Sequence, residues 1–326
     1  MNEYLTREIW KMRKNIVTTP GTPVVSLNEV KKGIFQLLFT SCGCNNACSF
    51  CNYGFDYHLT LEMVKPELQK IKLEDYNINV LQLESNGSFL SEREIPYDLF
   101  IETLKFVSHR DIPEIEIETH YTTITEKKLQ VIREILGWEQ EIYFELGFES
   151  SAEDVRAIYN KDIDIDEFLR TAKLCKKYNI GILVNVLLGA PFLTREEQIQ
   201  DVLDSLDFVF KNMPEGTMCV LFPINIKENT MLKHWQDIGV YDQISSWEFV
   251  ELLYRIPEKY LDKVSIAWFG TRENTFTKGI SQFPKTCKKC RDRLIDFYVD
   301  FYTHLDPNYR KKILENIWKT RCTCDK

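Results

Sequence analysis

Ten cysteines punctuate this chain, and eight of them fall in two groups, four in residues 42–51 and four in residues 287–324. In the first group, FTSCGCNNACSFCNYG, Cys44, Cys48 and Cys51 are spaced C-x3-C-x2-C. Three thiolates in one short loop can reach three corners of a cubane iron–sulfur cluster and leave the fourth iron open to another ligand. Zinc would close its tetrahedron with a fourth protein ligand, which Cys42 could supply, so both arrangements stand at this point. The other role for Cys42 is a spare thiol beside the site. In the second group Cys287 and Cys290 form C-x2-C within TCKKCRDRL, and Cys322 and Cys324 form C-x-C within TRCTCDK. Four thiolates from two short loops could close one zinc site; an auxiliary iron–sulfur cluster or a soft-metal substrate site are the alternatives. Cys175 and Cys219 stand alone in helix and strand patterns and read as core.

Holding such loops requires a scaffold, and the chain supplies one by repeating strand then helix. Strand patterns occupy 33–40, 79–84, 114–119, 141–147, 181–189 and 217–222, with a further strand-like run at 263–269. Helical patterns follow at 60–73, after Pro96, after Thr125, at 151–158 and 165–177, after Thr194 and near 246–255. Proline suits a first helical turn, and Thr194 with Glu197 forms a capping-box pair. Six β-then-α units predict a parallel sheet with right-handed crossovers, an α/β partial (β/α)6 TIM-type barrel. The expected organisation is an N-terminal extension over 1–30, the barrel over 31–270 and a four-cysteine α-helical module over 271–326. In such sheets active sites sit at the carboxyl ends of the strands, which selects residues 41–58, 84–89, 118–122, 145–150, 185–191 and 222–225.

C-x3-C-x2-C with an aromatic residue, Phe50, before its last cysteine, directly after the first barrel strand, resembles the radical SAM superfamily. The resemblance covers roughly residues 30–225. Three segments liken it to the branch of the elongator catalytic subunit and the archaeosine-synthase radical SAM subunit: ESNGSFLSEREIP at 84–96, GFESSAEDVRAIYNKDID at 147–164 and LLGAPFLTREEQIQD at 187–201. It implies a [4Fe-4S] cluster on Cys44, Cys48 and Cys51 whose open iron is chelated by S-adenosylmethionine (SAM). It also implies a reductant such as flavodoxin or ferredoxin, and reductive cleavage of a carbon–sulfur bond, usually to a 5′-deoxyadenosyl radical that takes hydrogen from substrate.

The same resemblance assigns the rest of the pocket. Asn86, Gly87 and Ser88 occupy the place where family members contact the methionine amino group, although the common Gly-Gly-Glu form is absent. The fourth strand ends in Glu145 and the loop after it adds Glu149 and Ser150, where carboxylates can take ribose hydroxyls or the ammonium. Arg156 is placed to pair with the methionine carboxylate, as an arginine of this region does in related enzymes; a solvated helix charge is the plain alternative. Asn185 and the turn Gly189-Ala190-Pro191 let adenine lie against backbone. Glu118 and His120 close the third strand at the same mouth and are the candidate catalytic, substrate-touching residues.

Composition sets the outer bounds. The 326 residues are 44% hydrophobic, enough for a full core, and the formal net charge is -8. No run of 18 or more apolar residues spans a membrane, and the charged N-terminus lacks a signal core, so a cytoplasmic protein is expected. The tail is locally basic, with eleven Lys or Arg against six Asp or Glu over 285–326, compatible with RNA docking or with a solvated face. No cobalamin-binding domain is apparent. Three functions follow: a radical SAM enzyme on a small-molecule or natural-product substrate, a tRNA base-modifying enzyme of archaeosine-synthase type, or a non-catalytic iron–sulfur or zinc protein.

Overall fold

The computed structural model describes residues 2–13, 23–53, 58–85, 87–267, 280–282 and 284–322. The predicted alternation is present. Parallel strands β2 (Ile34–Phe39), β3 (Val80–Ser85), β4 (Glu114–Thr119), β5 (Glu141–Glu149), β6 (Gly181–Leu188) and β7 (Met218–Pro223) lie in chain order in one sheet. Helices α2 (Leu61–Leu68), α3 (Tyr97–Ser108), α4 (Glu126–Leu136), α5 (Glu153–Ile158), α6 (Ile165–Lys177) and α7 (Arg195–Asn212) supply the crossovers. The helix starts behave as their residues dictate: Pro96 precedes α3, Thr125 caps α4, and Thr194 with Glu197 closes a full capping box on α7.

Two edge strands extend the sheet to eight. Val264–Ile266 (β9) adds a parallel neighbour to β7. Val25–Lys31 (β1) pairs antiparallel with β2, so residues expected to form an extension are partly a sheet edge. The turn between them needs Gly33, at φ +77°, where a Cβ would stand 2.5 Å from Asn79. Order β1-β2-β3-β4-β5-β6-β7-β9 leaves two free edges, a curled partial barrel.

Strand alternation separates the two faces of this sheet. Leu81, Leu83, Ile115, Ile117, Ile142, Phe144 and Leu146 are buried and belong to the core beneath the helices. The opposite face is polar. Gln36 donates to Glu84, Gln82 donates to Glu116 at 2.7 Å, and Asn185 donates to Glu145 at 2.8 Å, so the barrel lumen is lined by amides and carboxylates.

After β7 come β8 (Ile226–Lys227), α8 (Met231–Asp237) and α9 (Ser246–Arg255). The tail forms α10 (Arg291–Thr303) and α11 (Pro307–Trp318). Arg310 pins this pair to the barrel: its fully buried guanidinium donates to the carbonyls of Phe301, His304, Leu261 and Val264. Arg133 does the same at the other end, holding the carbonyls of Gly137, Gln140, Tyr178 and Asn179. Among the described residues no helix is long and apolar enough to cross a membrane.

Candidate active site

The cysteine loop leaves the carboxyl end of β2 and is held from several sides. The Cys51 N–H donates to the Cys48 carbonyl at 3.3 Å, and backbone N–H groups of Asn46 and Tyr53 reach the Cys44 and Cys51 sulfurs at 3.3 and 3.4 Å. Ser49 donates to the Tyr159 and Ile158 carbonyls. Phe50 stacks edge-on against Tyr159, with ring centroids 5.3 Å apart. From outside the barrel the N-terminal helix α1 (Glu3–Arg13) brings Arg13, whose buried guanidinium donates to the Asn46, Cys48 and Cys51 carbonyls. Nothing in the sequence pattern marked Arg13; its contacts are to backbone, which carries no residue-type signal.

The three thiols lie close enough to influence one another electrostatically. Burial pushes the Cys44 thiol up to about 11 and the Cys48 thiol up to about 12. Such thiols become thiolates readily only beside compensating positive charge, which a metal centre supplies. Cys42 is turned to the Arg93 carbonyl at 3.4 Å, the spare-thiol arrangement. Cys175 and Cys219 are fully buried, as core residues are.

Gly87 closes on this loop. A Cβ there would stand 2.6 Å from Cys44 Cβ and 2.8 Å from its nitrogen, so only glycine lets the turn after β3 approach the thiol loop. That turn is fixed by Glu94, which the sequence reading missed. Its carboxylate accepts from Ser41 and Ser85 hydroxyls and from the Ser88 N–H, at 3.2, 2.9 and 3.0 Å. The Ser88 hydroxyl faces away, bridging Thr119 and Thr123 and accepting from the His120 N–H. Asn86 lies outside the described residues.

Glu149 sits at φ 69° where β5 bulges against β6, a conformation that re-aims its side chain. It pairs with Lys161 at 2.6 Å, both side chains nearly buried. Gly147 leaves room for this pair, since a Cβ would meet Lys161 Nζ at 2.5 Å. Burial works against the Lys161 charge, but Glu149 and the Cys48 and Cys44 sulfurs outweigh it and hold its pKa up. A second cation, the half-buried Lys227, bears on Tyr53, Cys51 and Glu118. Neither lysine was singled out from sequence, because a lysine outside any motif is ordinarily a surface residue.

Other predicted residues are placed differently. The Ser150 hydroxyl donates to Asp201 at 2.6 Å, and Arg156 donates to the Ser150 and Ser151 carbonyls at 3.0 and 2.7 Å. Arg156 is therefore buried and shapes a turn rather than standing solvated on its helix. Gly189, at φ +114°, packs with Ala190 and Pro191 beneath Tyr241, whose hydroxyl donates to the Gly189 carbonyl at 3.0 Å.

At the lumen mouth Glu118 is held well above the usual carboxylate range by burial and by the charges of Glu84, Glu145 and Cys51. Burial, with Lys161 nearby, pushes His120 down to about 3, so its ring is neutral. The Thr122 N–H donates to His120 Nδ1, which places the ring proton on Nε2. That Nε2 and the Asn185 Oδ1 are buried without a protein partner. The neutral His120 ring, the Asn185 amide and the Glu118 carboxyl thus stand at the mouth and can bind a polar ligand.

The thiol set, the glycine cradle and the adjoining buried cation fit a cluster that binds a small charged cofactor. Comparison with known proteins agrees. Archaeosine synthase subunit beta of Methanosarcina acetivorans is 24% identical over 300 residues, spanning 88% of this chain and 83% of the relative. The uncharacterised protein MJ0550 of Methanocaldococcus jannaschii is 27% identical over 226 residues, 64% of this chain and 59% of its own length. In fold, methylornithine synthase (PylB) superposes with a TM-score of 0.51 at 16% identity, covering 90% of this chain and 88% of that one. Elp3 of Methanocaldococcus infernus gives 0.51 at 16%, covering 80% and 59%. A family model described as the radical SAM superfamily matches residues 38–208, which is 171 of the 326 positions and takes in all three clustered thiols, and the chain belongs to that enzyme superfamily.

Proposed function

We propose that this protein binds a [4Fe-4S] cluster on Cys44, Cys48 and Cys51 and uses SAM for radical chemistry on a modified base of tRNA, as in archaeosine synthesis. The carrying observation is the Glu149–Lys161 pair, set beside Cys44 and Cys48 at the barrel mouth. When bound, the cluster supplies one electron to the sulfonium of SAM. The chain's own residues then have separate tasks. Lys161 is the cation for the methionine carboxylate, in place of the turn-bound Arg156. The Gly87 backbone admits the amino group, while Glu145 and Asn185 offer acceptors to ribose hydroxyls. The apolar wall of Phe50, Ala190 and Leu187 excludes water on the adenine side. Glu118, its carboxyl held well above the usual carboxylate range, and His120, kept neutral with its buried Nε2 lacking a protein partner, orient the substrate.

The tRNA substrate is supported by the similarity to archaeosine synthase subunit beta along most of both chains. A base would reach the lumen extruded from its stack. A small-molecule substrate is the second reading, favoured by the tail: Lys285, Lys311 and Arg321 pair with Asp242, Glu258 and Glu251, and Arg310 is buried, which neutralises much of its basic surface.

Reduced protein, SAM and tRNA from cells lacking this gene would test the proposal. The expected result is release of 5′-deoxyadenosine together with a mass change in one nucleoside, both abolished by Cys44→Ala, Cys48→Ala and Cys51→Ala combined. SAM cleavage stimulated by a small-metabolite fraction but not by tRNA would move the substrate to the second reading. Cleavage at the native rate by the triple variant would sink the radical SAM assignment itself.

A further inference from the structure

We infer that the cations at the start of α10 and the end of α11 form a docking surface for the phosphate backbone of RNA, which guides a base into the barrel mouth. The inference rests on the tRNA reading above and gives that substrate a place on the molecule.

The first ground is convergence. Lys288, Lys289, Arg291 and Arg293 stand at the start of α10, Lys319 and Arg321 at the end of α11, and all are exposed. The whole of α10 and α11 separates the two groups in sequence. The fold joins them: the sulfurs of Cys287, Cys290 and Cys322 lie within 4.8 Å of one another, and Arg293 donates to the Thr320 carbonyl at 3.1 Å. Asp292 and Asp296 share this end, and Glu251 of α9 is taken by Arg321 at 3.1 Å.

The second ground is what pairing leaves over. Elsewhere on the tail Lys285 is matched to Asp242 and Lys311 to Glu258. Among the described residues Lys288, Lys289, Arg291 and Lys319 form no such pair, so the uncompensated charge gathers at one end. Cys290 precedes the first turn of α10 without a side-chain bond to it, and the positive end of that helix dipole points to the same place.

The third ground is aromatic. A basic face alone is commonly just solvated. Rings adjoin this one. The Arg321 guanidinium lies 4.7 Å from the Trp318 ring centroid, and Trp318 stacks on Tyr254 of α9, with centroids 5.0 Å apart and 9° between planes. Tyr254 stays 45% exposed. Cations beside a half-open aromatic stack suit an unpaired base and its phosphates. A membrane surface calls for apolar anchors among the lysines, whereas the exposed residues of 288–293 and 319–321 are all polar.

Placement relates this surface to the chemistry. α7 starts at Arg195, just past the carboxyl end of β6, the end of the sheet that carries the thiol loop. Arg195 reaches Asp242 at 3.3 Å, Asp242 also takes Lys285, and the Ser246 N–H at the start of α9 donates to the Lys285 carbonyl at 2.8 Å. The turn at 287–293 thus stands beside the barrel mouth. Phosphate contacts fix the register of a nucleic acid, and a strand held there can present an extruded base to the lumen.

The test titrates labelled tRNA from cells lacking this gene with the cluster-reconstituted full chain, by fluorescence anisotropy over a range of salt. Lys288→Gln, Lys289→Gln and Arg291→Gln combined should weaken binding about 10- to 100-fold and flatten the plot of log affinity against log salt by about two units. Iron content and SAM cleavage without tRNA should match the parent. Tyr254→Ala should weaken binding about 10-fold with the salt slope unchanged, since stacking releases no counterions. A triple variant that binds tRNA as the parent does, slope included, overturns the inference and leaves the tRNA reading standing. A parent chain that cleaves SAM but binds no tRNA overturns both. Binding to phosphatidylserine–phosphatidylcholine vesicles that is tighter than to tRNA, and lost in the triple variant, would make this a membrane surface and overturn RNA docking.

Discussion

Arg13 reaches the Cys51 carbonyl with two nitrogens, Nε at 3.2 Å and Nη2 at 2.9 Å, joining the N-terminal helix to the last cysteine of the cluster loop. The same guanidinium also holds the Asn46 carbonyl at 2.6 Å. A helix outside the barrel thus sets the backbone from which the thiols project. Arg13→Gln should loosen the loop by about 2 kcal/mol, since hydrogen bonds from a charged donor are lost. The readout is iron retained after anaerobic gel filtration together with the melting temperature. Full iron content in the variant would show that the loop holds itself.

Gly87→Ala tests the cradle. The added methyl would meet Cys44 at 2.6 Å from its Cβ, and the contact involves backbone as well, so the loop must shift. The variant should fold, because the barrel core is remote from the turn, yet lose most of its iron. Normal iron content and normal SAM cleavage would place the turn elsewhere than against the thiol loop.

Lys161 and Arg156 should separate cleanly. Lys161→Met with Glu149→Gln, which avoids leaving a buried unpaired carboxylate, should weaken SAM binding by about 10- to 100-fold at unchanged stability. Arg156→Lys should instead lower the melting temperature through the Ser150 and Ser151 carbonyls and leave the dissociation constant nearly unaltered. Isothermal titration with the reconstituted protein measures both. The reverse pattern would return Arg156 to the SAM carboxylate.

Asp201 gives a pH signature. Burial pushes its carboxyl up to about 6 from an ordinary 3.8, against the lowering effect of the Ser150 hydroxyl. Between those values the folded chain keeps a proton that the unfolded chain has released, so this group's contribution to stability falls as pH rises through that window and is level above it. Asp201→Asn should gain up to about 3 kcal/mol relative to the parent near neutral pH and nothing at low pH, where both carboxyls are protonated. Denaturant melts across the window measure the difference; a pH-independent gap would mean that Asp201 titrates normally.

The alternation of β2 to β7 with their helices, the helix caps and the thiol triplet were all legible in the sequence. These are local properties: apolar runs of strand length, a proline or threonine before a helix, and cysteine spacing all act within a few residues. The sequence also indicated that the tail cysteines belong together, and the fold brings the sulfurs of Cys287, Cys290 and Cys322 within 4.8 Å of one another. Which cation stands beside the thiols depends on long-range packing. Arg156 carries the family-like motif position, but its guanidinium is used by backbone carbonyls six and five residues earlier. Lys161, with no motif around it, is brought in by the bulge that turns Glu149 inward. Glu94 and Arg13 were invisible for the same reason: each acts on atoms far away in sequence or on main-chain groups, and neither leaves a pattern of residue types to read.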